Sequence, residues 1–225
     1  MTGGEARRAV ARALTLAPGL VPLGLLFGAS AVKVGLSPGA AIAISALVFA
    51  GGAQFAAVGL VATGAALAAI AGTVLLINAR YFLLSTATLE MGRKTGARGW
   101  QRVLLALGTV DESYALQAAW PEAASAAALL VIPATLWVLW VGSTALGAWL
   151  GDALPDLRPY GLDYALPGIF VGLLGIFADT RAKLAAGLVA LALGGAAALL
   201  GFGAWAVLVV PTLMAFALGA WKRAG

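Results

Sequence analysis

From Val34 to Ala79 the chain carries no charged residue, and long apolar runs recur on both sides of that stretch. A transmembrane helix needs about 20 apolar residues, so Val34–Ala79 alone predicts two spans back to back. Along the whole chain seven hydrophobic segments stand out: 12–32, 39–62, 65–89, 124–150, 163–179, 184–200 and 202–221. An eighth, 102–119, is apolar at both ends but carries Asp111-Glu112-Ser113 in its middle. The pattern predicts an all-α, polytopic integral membrane protein. It has seven spans, or eight if 102–119 also crosses, in a single transmembrane domain over residues 1–225. Gly35 to Gly39, with Ser37-Pro38, predicts the first turn, and Pro155–Pro159 with Asp152, Asp156 and Arg158 the clearest polar loop of the second half. Trp137, Trp140, Trp149, Trp205 and Trp221 suit interfacial belts or the core.

An internal repeat accompanies the pattern. Pro18-Gly19-Leu20-Val21 opens a segment that ends at Lys33, and Pro167-Gly168-Ile169-Phe170 opens one that ends at Arg181 and Lys183. Each is followed by two more apolar segments and a basic stop. The chain therefore reads as three spans, a linking segment and three spans, an organisation common among secondary transporters.

Composition agrees and narrows the functions. The chain is 62% hydrophobic and 10% charged, with mean hydropathy +1.00, against about 25% charged residues in a soluble domain. Soluble folding is excluded, and the lipid bilayer is the expected surround. Net charge is +5, from 14 basic and 9 acidic residues. The basic residues gather in short loops and at the ends (Arg7, Arg8, Arg12; Arg93, Lys94, Arg98, Arg102; Arg181, Lys183; Lys222, Arg223), as cytoplasmic topology determinants do. Nucleic acid is not an expected partner. Topology does not close cleanly: seven spans send the arginine-bearing N-terminus outside, while eight put the 93–102 loop outside. A half-membrane or broken segment is the expected way out. The first segment has signal-peptide traits, but Pro18-Gly19 and Pro22 interrupt it, so it reads as retained.

There is no cysteine and no histidine. Thiolate nucleophiles, imidazole bases, common zinc sites and His- or Cys-ligated haem are excluded, and no metal or cofactor is expected. No phosphate-binding loop appears, and no nucleophile and base can be recognised. The chain is not expected to be an enzyme.

The candidate chemistry is the set of polar groups inside apolar segments. Pro22 removes a helix donor and clashes with the carbonyl of Pro18, which predicts either a proline kink or a broken first segment whose freed carbonyls need a partner. Gly51-Gly52, in Phe49-Ala50-Gly51-Gly52-Ala53-Gln54-Phe55, permits either close helix packing or an unwound stretch lining a cavity. Gln54 then serves as a cross-helix hydrogen bond or as a ligand group. Asn78, Tyr81 and Ser85 share one helix face. Arg80 points elsewhere, and a guanidinium in the membrane must be paired or hydrated. Asp111 and Glu112 are its expected partners. Being adjacent on a helix, they point about 100° apart, so one can hold Arg80 while the other faces a watery path. Without histidine they are also the candidates for proton coupling.

These motifs together resemble the AzlC family, the large subunit of bacterial branched-chain amino acid exporters. The resemblance rests on Pro22-x-Gly24-x-x-Phe27-Gly28, Gly35-Leu36-Ser37-Pro38, Ser45-x-x-x-Phe49-Ala50-Gly51-Gly52-Ala53-Gln54-Phe55, Asn78-x-Arg80-Tyr81 and Asp111-Glu112. It implies a multi-pass permease of the bacterial cytoplasmic membrane that exports leucine, isoleucine, valine or methionine with proton coupling. It also implies a small AzlD-like membrane partner. In that setting Pro22, Gly24, Phe27, Phe49, Gly51, Gly52, Gln54, Phe55, Asn78 and Tyr81 are the expected substrate-binding residues, and Arg80, Asp111 and Glu112 the coupling charges. Two positions depart from the family pattern. Gly52 stands where such proteins often have serine, and Tyr81 where they often have histidine, which removes a titratable group. A channel or a transporter for another small solute is the alternative reading. A structural subunit without its own path is a third.

Overall fold

The computed structural model describes residues 2–120 and 125–153, with isolated positions between 185 and 200. Contacts divide the chain into two compact units, Met1–Phe170 and Val171–Gly225. In the second unit the described positions are helical but isolated. The expected segments 163–179, 184–200 and 202–221, the Pro155–Pro159 loop, Trp205, Trp221 and the second copy of the repeat otherwise lie outside the described residues.

The first unit is helical throughout its described length. Its elements are α1 (Gly3–Leu14), α2 (Ala17–Lys33), α3 (Pro38–Val48), α4 (Gly51–Ala62), α5 (Leu67–Asn78), α6 (Arg80–Lys94), α7 (Gly99–Leu107), α8 (Asp111–Ala118) and α9 (Ala126–Leu150). Among the described residues two stretches are long and apolar enough to cross a bilayer, or three if a bent pair counts as one span. The first is α5 and α6 together, 28 residues interrupted at Ala79, about 42 Å at 1.5 Å per residue. The second is the 25-residue α9. The bent pair is α1 and α2, which meet at 61°.

Two sequence expectations need correction here. The first segment breaks at Thr15–Leu16 rather than at Pro22, and α2 runs through Pro22 unbroken. Pro22 lies so near the helix start that only the carbonyl of Pro18, in the first turn, loses its donor. The predicted span 39–62 is two short helices, 11 and 12 residues long, neither able to cross alone. The segment 102–119, whose crossing the sequence leaves open, divides at Gly108–Val110 into α7 and α8. Ser113 stabilises that division: its hydroxyl donates to the Gly108 carbonyl at 2.8 Å and accepts from the Val110 amide at 2.9 Å.

The core is built on α2 against α9. A Cβ on Gly24 would fall on the Ser143 side chain, one on Gly28 on the Thr144 carbonyl, and one on Gly147 on the backbone of Leu25. These glycines let the two backbones touch, as small residues do between membrane helices. Contacts advance together along both chains, from Gly24 with Ser143 to Gly28 with Ala148, so α2 and α9 run in the same direction. Ser45 of α3 joins them through a buried hydrogen bond between its hydroxyl and that of Thr144, 2.7 Å.

Pro133 interrupts the hydrogen-bond ladder of α9. As a proline it cannot donate to the carbonyl four residues back, that of Leu129. Gln117 of α8 supplies the missing donor, its Nε2 lying 3.0 Å from the Leu129 oxygen. At the far end of α8 the guanidinium of Arg12 lies 4.9 Å from the centre of the Trp120 ring, which ties α1 to the same region.

Candidate functional site

A cavity opens where the breaks in the helices meet. Phe49, the C-cap that follows α3, has φ 43° and ψ 47°, a left-handed conformation that costs a side-chain-bearing residue about 1–2 kcal/mol. It turns the chain so that Ala50 is the N-cap of α4 and Gly51 its first residue, with no side chain capping the helix. The break therefore precedes Gly51-Gly52 rather than opening at them. The first amides of α4 have no intrahelical acceptor, and Gly51 and Gly52 line the cavity.

Arg80 opens α6, and Asp111 and Glu112 open α8. The Nη2 of Arg80 is 2.7 Å from Oδ2 of Asp111, which is the pairing the sequence pattern anticipated. Carboxylates in a first helical turn sit favourably at the positive end of the helix dipole, whereas a cation there does not. Asp111 offsets that cost for Arg80. Tyr81 adds a second contact, its hydroxyl accepting from Arg80 at 3.4 Å while the guanidinium lies 5.2 Å from its ring centre.

The remaining lining is apolar. Leu20 and Leu23 come from α2, Leu136 and Trp140 from α9, and Val110 precedes α8. One charged wall from α6 and α8 thus meets an apolar wall from α2 and α9, and the start of α4 joins the lining. The cavity is small, about 30 Å³, on a scale where one water needs about 10–15 Å³.

Of the residues expected from sequence, Phe49, Gly51, Gly52, Arg80, Tyr81, Asp111 and Glu112 come together here. Pro22, Gly24, Phe27, Gln54, Phe55 and Asn78 do not line this cavity. Gly24 is consumed by the α2–α9 contact. Phe27 is fully buried, stacked on Trp140 at 6.4 Å and edge-on to Phe55 at 5.7 Å. Gln54 is buried behind the lining, where its Oε1 accepts from the indole N–H of Trp140 at 2.9 Å, which is the cross-helix hydrogen bond of the sequence reading. Asn78 closes α5, and its Oδ1 has no hydrogen-bond partner among the described residues. Ser85, on the face expected to continue from Tyr81, donates to the Ala106 carbonyl of α7 instead.

Trp140 is a cavity residue that the sequence did not single out. Among tryptophans assigned to interfacial belts or the core, it is 3% exposed and forms part of the cavity wall, whereas Trp149 is 87% exposed. Trp137 is partly exposed and donates its indole N–H to the Ala46 carbonyl. No sequence signal separates them, because α9 is apolar on every side and spacing marks no inward face.

A sequence profile described as "AzlC protein" matches residues 15–154. The chain belongs to the AzlC family. Among curated proteins, the inner membrane protein YgaZ of Escherichia coli (strain K12) is 27% identical over 169 residues, covering 68% of this chain and 65% of that protein. The chain thus matches just under two thirds of the length of this relative. No solved structure matches the chain. Every cavity residue falls inside the AzlC match, whereas α1 precedes it.

Proposed function

We propose that this AzlC protein is a permease of the bacterial inner membrane that exports branched-chain amino acids, driven by protons and assisted by a small AzlD-like membrane subunit. Family membership and a relative named as an inner membrane protein support a membrane transporter. The observation that carries the finer reading is the composition of one cavity: the Arg80–Asp111 pair with Glu112, the uncapped start of α4, and an apolar wall.

That combination suits a zwitterion with an aliphatic side chain. The substrate carboxylate would take the first amides of α4, which favour an anion, together with Arg80. Its ammonium would take Glu112, and its side chain would lie against Leu20, Leu23, Leu136 and Trp140. In this reading Phe27, Phe55 and Gln54 hold the wall rather than the ligand. Substrate or a proton that loosens Arg80 from Asp111 would bias one access state over the other. No covalent step is part of the mechanism.

A lining that sets paired charged groups against an apolar wall fits a substrate-binding transporter better than an unselective channel. Uptake of labelled leucine into proteoliposomes tests the reading. The expected result is saturable flux that responds to a pH gradient and is lost in Arg80→Ala. Unsaturable flux indifferent to pH would establish the channel instead.

A further inference from the structure

The indole of Trp140 has three constraints that fix it over the start of α4. Its N–H donates to Gln54 Oε1 at 2.9 Å. One face stacks on Phe27 with the planes 21° apart. Its far edge approaches Gly51 so closely that a Cβ there would lie 3.1 Å from Cη2. The neighbouring Gly52 has open space where its Cβ would be, so the demand for glycine at 51 comes from the ring rather than from the helix break.

Trp140 is also the largest side chain on the apolar wall, and the cavity it leaves is about 30 Å³. A side chain that enters must fit beside this ring. Leu20 and Leu23 belong to α2, which the contacts at Gly24 and Gly28 lock against α9. The indole is held by its hydrogen bond to Gln54, its stack on Phe27 and its contact with Gly51, so its bulk stays on the wall. We propose that Trp140 is the size filter of the site: the volume of its fixed ring limits how large a side chain the apolar wall accepts. This rests on the amino-acid reading above and adds the residue that sets substrate range.

The experiment compares labelled valine, leucine, methionine and phenylalanine as substrates of the full chain in proteoliposomes. Trp140→Phe leaves a smaller ring with no N–H. It is expected to raise the preference for methionine and phenylalanine over valine by about tenfold, the scale on which pocket size discriminates apolar side chains. Gly51→Ala adds a methyl to the lining, 3.1 Å from Cη2 of the ring, and is expected to move the ratio the other way. Tryptophan emission should change on leucine addition in the wild type and not in Trp140→Phe. Gly51→Ala reads the same wall should Trp140→Phe fail to insert. If the wild type transports these amino acids and neither variant moves the ratio, Trp140 is not the filter. If the wild type transports none of them, the amino-acid reading itself falls.

Discussion

Arg80 and Asp111, the first residues of α6 and α8, form an ion pair at 2.7 Å. Their side chains are 29% and 17% exposed, between a surface pair and a fully buried one. Removing one partner strands the other beside Glu112. Arg80→Met is expected to cost on the order of 2 kcal/mol, between the about 1 of exposed pairs and the 3–5 of buried ones. The double variant Arg80→Met with Asp111→Leu should recover most of that stability, because a buried pair is often replaceable by apolar groups. Transport should not recover. Thermal unfolding in detergent beside proteoliposome flux checks both, and a double variant that transports leucine normally would make the pair structural only.

The glycines of the first half separate into two kinds, and substitution should tell them apart. Alanine at Gly28 would place a methyl on the Thr144 carbonyl, which only a backbone shift relieves. A cost of about 3 kcal/mol or more is expected. Alanine at Gly52 meets nothing within 4 Å and should stabilise α4 by about 0.5–1 kcal/mol through helix propensity. Size-exclusion profiles of heated, detergent-solubilised variants measure the contrast. Equal behaviour of the two would contradict the parallel α2–α9 packing.

Much of the site was legible because charge in an apolar run is rare and must be answered. Arg80 had few acidic groups to meet, and Asp111-Glu112 interrupts a segment that would otherwise cross. The break before α4 was legible to within two residues, since paired glycines weaken a helix wherever they fall. Its position at Phe49 was not, because nothing local asks phenylalanine to be left-handed. Gly24 and Gly51-Gly52 share a residue type, and only the neighbouring helix decides which is a contact and which a lining. Trp140 was hidden for a related reason. α9 is apolar on every side, so periodicity assigns it no inward face. Gln117 became meaningful only once α8 lay against Pro133.

Phe49 stores backbone strain at the cavity edge. With φ at 43° it bears a penalty that glycine would not. Phe49→Ala removes the ring and keeps the strain, whereas Phe49→Gly removes both. Phe49→Gly is therefore expected to be the more stable of the two, despite the usual penalty for glycine, by up to about 1 kcal/mol. Melting temperatures of the two variants decide it. Phe49→Ala proving clearly the more stable would mean that the turn is not left-handed in the membrane.

Charge counting around the cavity isolates the role of Glu112. Arg80 supplies one positive charge, while Asp111 and Glu112 supply two negative charges if both are ionised, and Tyr81 is neutral. The three charged groups balance only when one carboxyl carries a proton. Asp111 is held by Arg80, so Glu112 is the group free to gain or lose that proton as the cavity changes access. Glu112→Gln fixes the neutral form with little change of shape. It should abolish leucine accumulation driven by a pH gradient while exchange of labelled for unlabelled leucine persists at a raised half-saturating concentration, because exchange needs no net proton movement whereas the ammonium has lost its carboxylate. Asp111→Asn should impair both, since it unpairs Arg80. Gradient-driven accumulation that survives Glu112→Gln unchanged would remove Glu112 from the coupling and leave the proton to another group.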